Sequence, residues 1–450
     1  MKTKRIILFY LFLILAAISF WLQGQSALLH DDEYIFVGRS KFFDYYIAAD
    51  FNNPLWQSFE SYDVPKLGEY FYAGYLKLFA GNQSVDHYLE ETGFYQSLNS
   101  PVFIRYLENL GHQLEKAPGQ YNQSFMNLDW AQLLSLLRKK SIKLYELPAK
   151  TLEQTQAILI ARQAAFILAI FNLVLIFIVA DELDQPPLGL IVVTLLTINT
   201  NFREIAVRAM GDTPLLTMTL FSFLLSQVVA DKLAQDKKVS LAPLAAAGFV
   251  IGLGISIKLN LVLSLIHFLT FLIYSSATKQ KALNIFKNCS IVTGIAWLSF
   301  ALLNPFIWSA PLKKSLFMFQ HRLNIFKHQQ AYAPDLALNS IQERILAVFN
   351  GVFGCDFIGL VFAGLTIIGI LVILAKVVQR TRNQPFFDKT APPLFLNFLL
   401  FITIVGLPTI IFVPLDWPRY YFLLTVSSSI LAGQGLLKII FFLKNLFERE

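Results

Sequence analysis

Charge is scarce in this chain. Asp, Glu, Lys and Arg make up 15% of its 450 residues, hydrophobic residues 55%, and mean hydropathy is +0.54. Soluble domains carry about 25% charged residues, so that class is excluded and a polytopic membrane protein is left. Cysteine is nearly missing too. Cys289 and Cys355 lie in or beside apolar runs, which excludes a disulfide framework or a Cys-rich metal centre and leaves them to helix packing. No His-x-x-x-His or Cys-x-x-Cys spacing occurs, and His87, His112, His267, His321 and His328 are scattered. No metal or other cofactor is therefore required, although the hard carboxylate oxygens at 31–33 and 63 would suit one divalent cation. The net charge is +7, but the basic residues sit mainly in short connections between apolar runs. That placement encodes membrane orientation and argues against a nucleic-acid partner.

What is abundant is apolar sequence of helical length. A hydrocarbon core of about 30 Å takes about 20 apolar residues per helix. About ten runs approach that length: 5–22, 156–180, 187–202, 213–230, 241–256, 259–276, 286–303, 352–376, 393–413 and 420–443. The expected fold is all-α, a single domain over 1–450: a polytopic membrane bundle of about ten transmembrane helices whose large first outer loop bears interfacial helices. Lys2, Lys4 and Arg5 precede the first run as in a signal peptide, yet no small-residue cleavage site follows, so an uncleaved anchor is expected.

With ten spans, five basic groups fall on one side: Lys2, Lys4 and Arg5; Lys232, Lys237 and Lys238; Lys279, Lys281 and Lys287; Lys376, Arg380, Arg382 and Lys389; Lys444 and Arg449. The positive-inside rule makes that side cytoplasmic, with both termini inside, and the near absence of cysteine with a single compact membrane domain points to a bacterial plasma membrane. The segments 23–155, 203–212, the turn at Lys258, 304–351 and the corner 413–419 then face outward. In the first of these, Glu69 to Phe79 is aromatic-rich and weakly charged, as expected of a helix in the membrane interface. A second helix is expected from Asp129 to Leu144, its basic end resting on lipid headgroups or simply solvated. Asn82-Gln-Ser and Asn122-Gln-Ser match glycosylation acceptors, a pattern frequent by chance, and no role is assigned to them.

Polar residues interrupt the lipid-facing pattern at few places, all outward. Asp31, Asp32 and Glu33 follow the first run directly, where unpaired carboxylates are costly. Asp63-Val-Pro-Lys66 places an acid and a cation around a proline that biases Val64 toward extended backbone. These two read equally as an ion pair at the start of a helix. Arg203, Glu204, Arg208 and Asp212 lead into the fourth run, and Arg208 lies four residues from both Glu204 and Asp212. On one helical turn the three would share a face and neutralise one another, while Asp212 or Thr213 with Pro214 would also start a helix. Lys258 breaks an apolar stretch, either snorkelling or facing an anion. Arg419 and Tyr420 open the last run within an aromatic belt. Cations from separate membrane elements beside acids suit a lipid phosphate as leaving group and a hydroxyl acceptor whose proton needs a carboxylate. A transporter or flippase for an anionic polyprenyl lipid is the alternative, although the first half's large loop has no counterpart in the second.

Taken in order, Asp32-Glu33, Asp63-x-Pro-Lys66-Leu, Arg208-Ala-Met-Gly-Asp212-x-Pro, Gly252-x-Gly254-x-x-x-Lys258, Asn304-Pro305 and Arg419-Tyr420-Tyr421 resemble the membrane glycosyltransferases of the C superfamily. Within it, the chain is similar to the group of protein O-mannosyltransferases and the lipid A aminoarabinose transferase. The resemblance implies an inverting enzyme that takes a sugar from a polyprenyl-phosphate donor to a lipid, glycan or protein acceptor. It implies Asp32 as base with Asp31 as rival and Glu33 beside them, Lys66, Arg208, Arg419 and Lys258 on the donor phosphate, and Asp63, Arg203, Asp212 and Tyr420 in support. Asp63 stands where relatives often carry a basic residue or histidine, so it would orient Lys66 or the acceptor instead. The first outer loop runs longer than in that group, and no soluble domain is expected after the last span, which leaves acceptor binding to loops.

Overall fold

A computed structural model describes residues 2–27, 31–79, 152–183, 187–236, 239–277, 280–332, 336–354, 356–383 and 394–448. The Asp129–Leu144 helix, both glycosylation tripeptides, His87, His112 and Cys355 lie outside the described residues, as does the side chain of Asp31. The described part is a helical membrane protein. Eight helices are long and apolar enough to cross a membrane, a bent pair supplies a ninth, and a shorter apolar helix of 15 residues adds to them. Together these match the ten apolar runs of the sequence one for one.

In chain order, α1 (Lys2–Ser26) is followed outside the first span by α2 (Asp31–Gly38), α3 (Lys41–Ile47), α4 (Phe59–Asp63) and α5 (Leu67–Phe79). The chain then runs through α6 (Leu152–Leu183), the bent pair α7 (Leu188–Ile198) and α8 (Thr200–Ala206), α9 (Asp212–Asp236), α10 (Leu241–Ile255), α11 (Val262–Ser276) and α12 (Ala282–Leu303). The second outer loop carries α13 (Pro311–Tyr332) and α14 (Ile341–Phe353), after which come α15 (Phe357–Asn383), α16 (Leu394–Phe401), a π-helical turn at Ile402–Gly406, α17 (Leu407–Phe412) and α18 (Phe422–Phe447).

The periphery and interior follow from which face each helix keeps apolar. α1 exposes Ile7, Leu11, Leu15 and Leu22, one stripe at helical spacing that faces lipid. At the centre, backbones approach closely through small residues. A side-chain carbon on Gly369 of α15 would stand 1.9 Å from the Leu431 carbonyl oxygen of α18, and one on Gly435 would stand 2.1 Å from the Leu365 oxygen.

The break between α7 and α8 turns the chain by 82°. Asn199 makes it: its backbone is extended, and its side chain caps α8 by accepting from the Phe202 N–H at 2.8 Å. The sequence run 187–202 reads as one span, so the break is a correction. α5, expected to lie in the interface, buries Gly68, Glu69, Tyr70, Tyr72, Ala73 and Leu76. Its aromatic stripe is an inward face, packed on α2, α3 and α6.

Candidate functional site

α1, α6 and the 207–211 link meet around α2. Glu33 is fully buried, and Arg162 of α6 grips it with both branches of its guanidinium: Nε donates to Oε1 at 2.7 Å and Nη2 to Oε2 at 2.6 Å. Nη1 of the same arginine donates to the carbonyls of Gly24 and Ala27 at the end of α1, both at 2.8 Å. The Ala209 N–H donates to Glu33 Oε1 at 2.9 Å. A buried arginine and glutamate are tolerated in such a place only when their remaining donors and acceptors are met, and here α1, α2, α6 and the 207–211 link meet them. Glu33 is thereby occupied.

Asp32, one residue earlier on α2, forms an ion pair with Nη1 of Arg419. Its side chain is 18% exposed and that of Arg419 13%. The arginine comes from the corner before α18, which is fixed on both sides. The Leu338 N–H donates to the Pro414 carbonyl and the Asp416 N–H to that of Leu336, at 3.0 and 2.9 Å, while Tyr421 donates to Asp416 at 2.8 Å. Trp417 and Tyr420 stack on each other, and the guanidinium carbon of Arg419 lies 4.5 and 5.4 Å from their ring centres. These faces favour a cation.

Arg208 and Asp212 follow a different course from the sequence expectation. α8 ends at Ala206 and α9 starts at Asp212, so the residues between them are not helical and Asp212 does not share a helical face with Arg208. Arg208 pairs with Glu204, and Asp212 Oδ1 accepts from Lys258 Nζ at 2.6 Å. Asp212 opens α9 as expected. Arg203 donates to Ser19 of α1 at 2.9 Å. Among the polar atoms of this layer that are buried without a hydrogen-bond partner among the described residues are Nε of Arg208, Nε of Arg419 and Oδ2 of Asp212. An unmet buried donor costs about 1–3 kcal/mol, so two arginine edges in this state would favour an anion able to accept from them.

Lys66 sits apart from those cations. It is 1% exposed, Nζ donates to both oxygens of Glu69 at 2.8 and 2.9 Å, and the ammonium lies 4.5 Å from the centre of the Phe42 ring. Burial pulls its pKa down to about 8, with Glu69 opposing part of the fall. Asn304 ties this region together. Its Oδ1 accepts from the Lys66 N–H at 3.0 Å, and its Nδ2 donates to the Phe300 carbonyl at 2.6 Å. Nearby, Asp63 accepts from Arg39 at 3.0 Å, with His321 and Arg322 of α13 each at 3.9 Å. Burial pushes the Asp63 carboxyl up, but the Arg39 and Arg322 charges and the Arg39 hydrogen bond outweigh it and hold it below the usual range.

Contacts join these groups into one layer. Glu33 touches Ala209, the neighbour of Arg208. Tyr72 of α5 donates to the Met210 carbonyl at 2.6 Å, and the Leu67 N–H donates to the Ser256 carbonyl at 2.8 Å. A side-chain carbon on Gly211 would lie 3.3 Å from Cε of Lys258. Asp32, Arg208, Lys258, Arg419 and Tyr420, expected to share one side, thus come from α2, the 207–211 link, the turn after α10 and the corner before α18. No family model and no curated protein matches the chain. Among solved structures, it is similar to the crystal structure of ArnT from Cupriavidus metallidurans bound to undecaprenyl phosphate, with a TM-score of 0.51 and 13% identity over 95% of this chain and 59% of that one.

It shares the fold of that structure.

An oligosaccharyltransferase from Archaeoglobus fulgidus, tethered to an acceptor peptide containing the NVT sequon, also matches, with a TM-score of 0.47 and 10% identity over 97% of this chain and 50% of that one. The chain therefore spans 59% of the length of the first protein and half that of the second. Within this fold, sequence reasoning missed Arg162, Glu69, Arg39 and Arg322, each of which holds an acid or cation it had singled out. For Arg162 a signal existed: an arginine inside the run 156–180 must find a partner away from lipid.

Proposed function

We propose that the protein is an integral membrane glycosyltransferase, moving a sugar from a polyprenyl-phosphate donor to an acceptor hydroxyl of a lipid, glycan or protein on the extracytoplasmic face. The observation that carries this reading is the Asp32–Arg419 pair on an α2 that Glu33 ties to the 207–211 link bearing Arg208, a link whose Gly211 packs against Lys258. Asp32 is the base. It takes the proton of the acceptor hydroxyl as that oxygen attacks the anomeric carbon from the side opposite the phosphate. The bond from that carbon to the phosphate oxygen breaks, its electron pair leaves with polyprenyl phosphate, and the sugar carbon is inverted.

Arg419 and Arg208 hold the departing phosphate through donors that the protein leaves unmet, and Lys258, presented by Asp212, adds a third charge. Charge on the phosphate grows as the bond breaks, so these contacts favour the transition state over the bound donor. As the phosphate engages Arg419, it competes with Asp32 and uncovers the carboxylate for the acceptor. Tyr420 and Trp417 keep Arg419 in place, and Arg203 anchors α8 to α1. Lys66, held by Glu69, acts as a buried counter-ion shaping the loop, and Asp63 gathers Arg39, His321 and Arg322.

The test is transfer in proteoliposomes loaded with labelled polyprenyl-phosphate sugars, reading free polyprenyl phosphate together with label on acceptor. Asp32→Asn should lower turnover by about a hundred- to ten-thousand-fold, the usual contribution of a general base. Asp31→Asn should stay within a few-fold of the wild type. Undiminished turnover by Asp32→Asn would sink the assignment, and donor lipid crossing the bilayer with its sugar still attached would make the protein a flippase.

A further inference from the structure

Arg162 donates two hydrogen bonds to Glu33 and two to the carbonyls of Gly24 and Ala27, and Glu33 accepts another from the Ala209 N–H. We infer that Arg162 is a positioning residue for Asp32: by locking Glu33 inward, it sets the rotation of α2 and so decides which of the consecutive acids meets Arg419 and the acceptor. The inference rests on the reading of Asp32 as base.

Successive residues on a helix point about 100° apart, so fixing Glu33 fixes Asp32. α2 has only eight residues and follows a break in the helix after α1, and a helix that short does not hold its own orientation in isolation. The two-pronged contact is what defines it. A guanidinium binds a carboxylate in a single plane through two parallel bonds, whereas an ammonium is a point charge that leaves the carboxylate free to swivel. The third branch of Arg162 grips the carbonyls of Gly24 and Ala27, so the same residue sets α2 relative to the end of α1. On the far side, the Ala209 N–H ties Glu33 to the link bearing Arg208. One buried side chain therefore fixes the base and a phosphate-facing cation in one frame.

Two measurements separate positioning from mere support of the fold. The first is the split between turnover and donor affinity. Arg162→Lys, which keeps the charge and loses the planar pair of bonds, should lower kcat at least tenfold while the donor KM changes less than threefold. Arg162→Gln with Glu33→Gln, which removes both buried charges together and so avoids an unpaired one, should lower kcat at least a hundredfold with a melting temperature close to the wild type. The second needs no transfer at all. Binding of undecaprenyl phosphate alone to the detergent-solubilised protein should tighten on Asp32→Asn, because Arg419 is released to the phosphate. In the Arg162→Gln/Glu33→Gln background that effect should vanish, since α2 no longer aims Asp32 at Arg419.

Kinetic constants within threefold of the wild type for both Arg162 variants would overturn the inference, as would an unchanged Asp32→Asn effect on binding in the double-neutral background. A kcat loss matched by an equal loss of folded protein would also count against it. Wild-type protein that transfers no sugar would instead defeat the glycosyltransferase reading, and the binding cycle would still decide the role of Arg162.

Discussion

Neighbouring acids on α2 differ in everything but sequence position. Glu33 is sealed and fully hydrogen-bonded, and Asp32 stays partly exposed against Arg419. Lys66 shows how burial recasts a cation. Its pKa of about 8 lies below the usual 10.5 because the ammonium is stripped of water, so the charged form is disfavoured in the fold. Below pH 8 the folded and unfolded chains both keep the proton, and the cost is constant. Between about 8 and 10.5 the unfolded chain holds a proton that the folded one has released, so this group makes stability rise with pH. The melting-temperature difference between the wild type and Lys66→Met/Glu69→Leu should therefore drift in favour of the wild type from pH 8 to pH 10. A flat difference across that window would refute the depressed value. Asp63 works the opposite way: its lowered pKa adds stability above the ordinary carboxylate range, and this is lost under acid.

At the scale of elements, the closest approach joins α15 and α18, where Gly369 and Gly435 bring backbone against backbone. Gly435→Ala should destabilise the protein by about 1–3 kcal/mol, the usual cost of overpacking, measured as a fall in melting temperature in detergent. Unchanged melting would mean that the helices can separate freely. The same scale shows what the sequence made legible. Hydropathy located every span because lipid demands about 20 apolar residues per crossing whatever the tertiary context. It could not see the break at Asn199, where a polar cap sits inside an apolar run, nor that the stripe of α5 is covered by protein rather than lipid. Charge spacing found Asp32, Arg208, Lys258 and Arg419, yet it paired Arg208 with Asp212 by assuming a helix across 207–211. The partners Arg162 and Glu69 were hidden because a contact 129 residues away in sequence, or a glutamate inside an aromatic helix, leaves no periodic trace.

For the whole molecule, the site reading and the charge pattern demand one sidedness. The outer layer must face away from the cytoplasm, and the basic end of α18 must face it. With native Cys289 and Cys355 replaced, Gln320→Cys in the exposed part of α13 should react with a membrane-impermeant maleimide on intact spheroplasts, whereas Lys444→Cys should react only after permeabilisation. The reverse pattern would invert the topology and remove the extracytoplasmic chemistry with it.

Two of the helices that lead into this layer are too short for a full crossing. α7 has 11 residues and α10 has 15, which at about 1.5 Å each reach only about 16 and 22 Å of a hydrocarbon slab about 30 Å thick. With the far end of each helix at the opposite headgroup plane, Lys258 after α10 and Arg208 beyond α8 would stand below the headgroup plane on their own side. A lipid headgroup meeting them would be pulled down into the leaflet, and a thicker, sterol-like or long-chain membrane would deepen that descent and slow the protein.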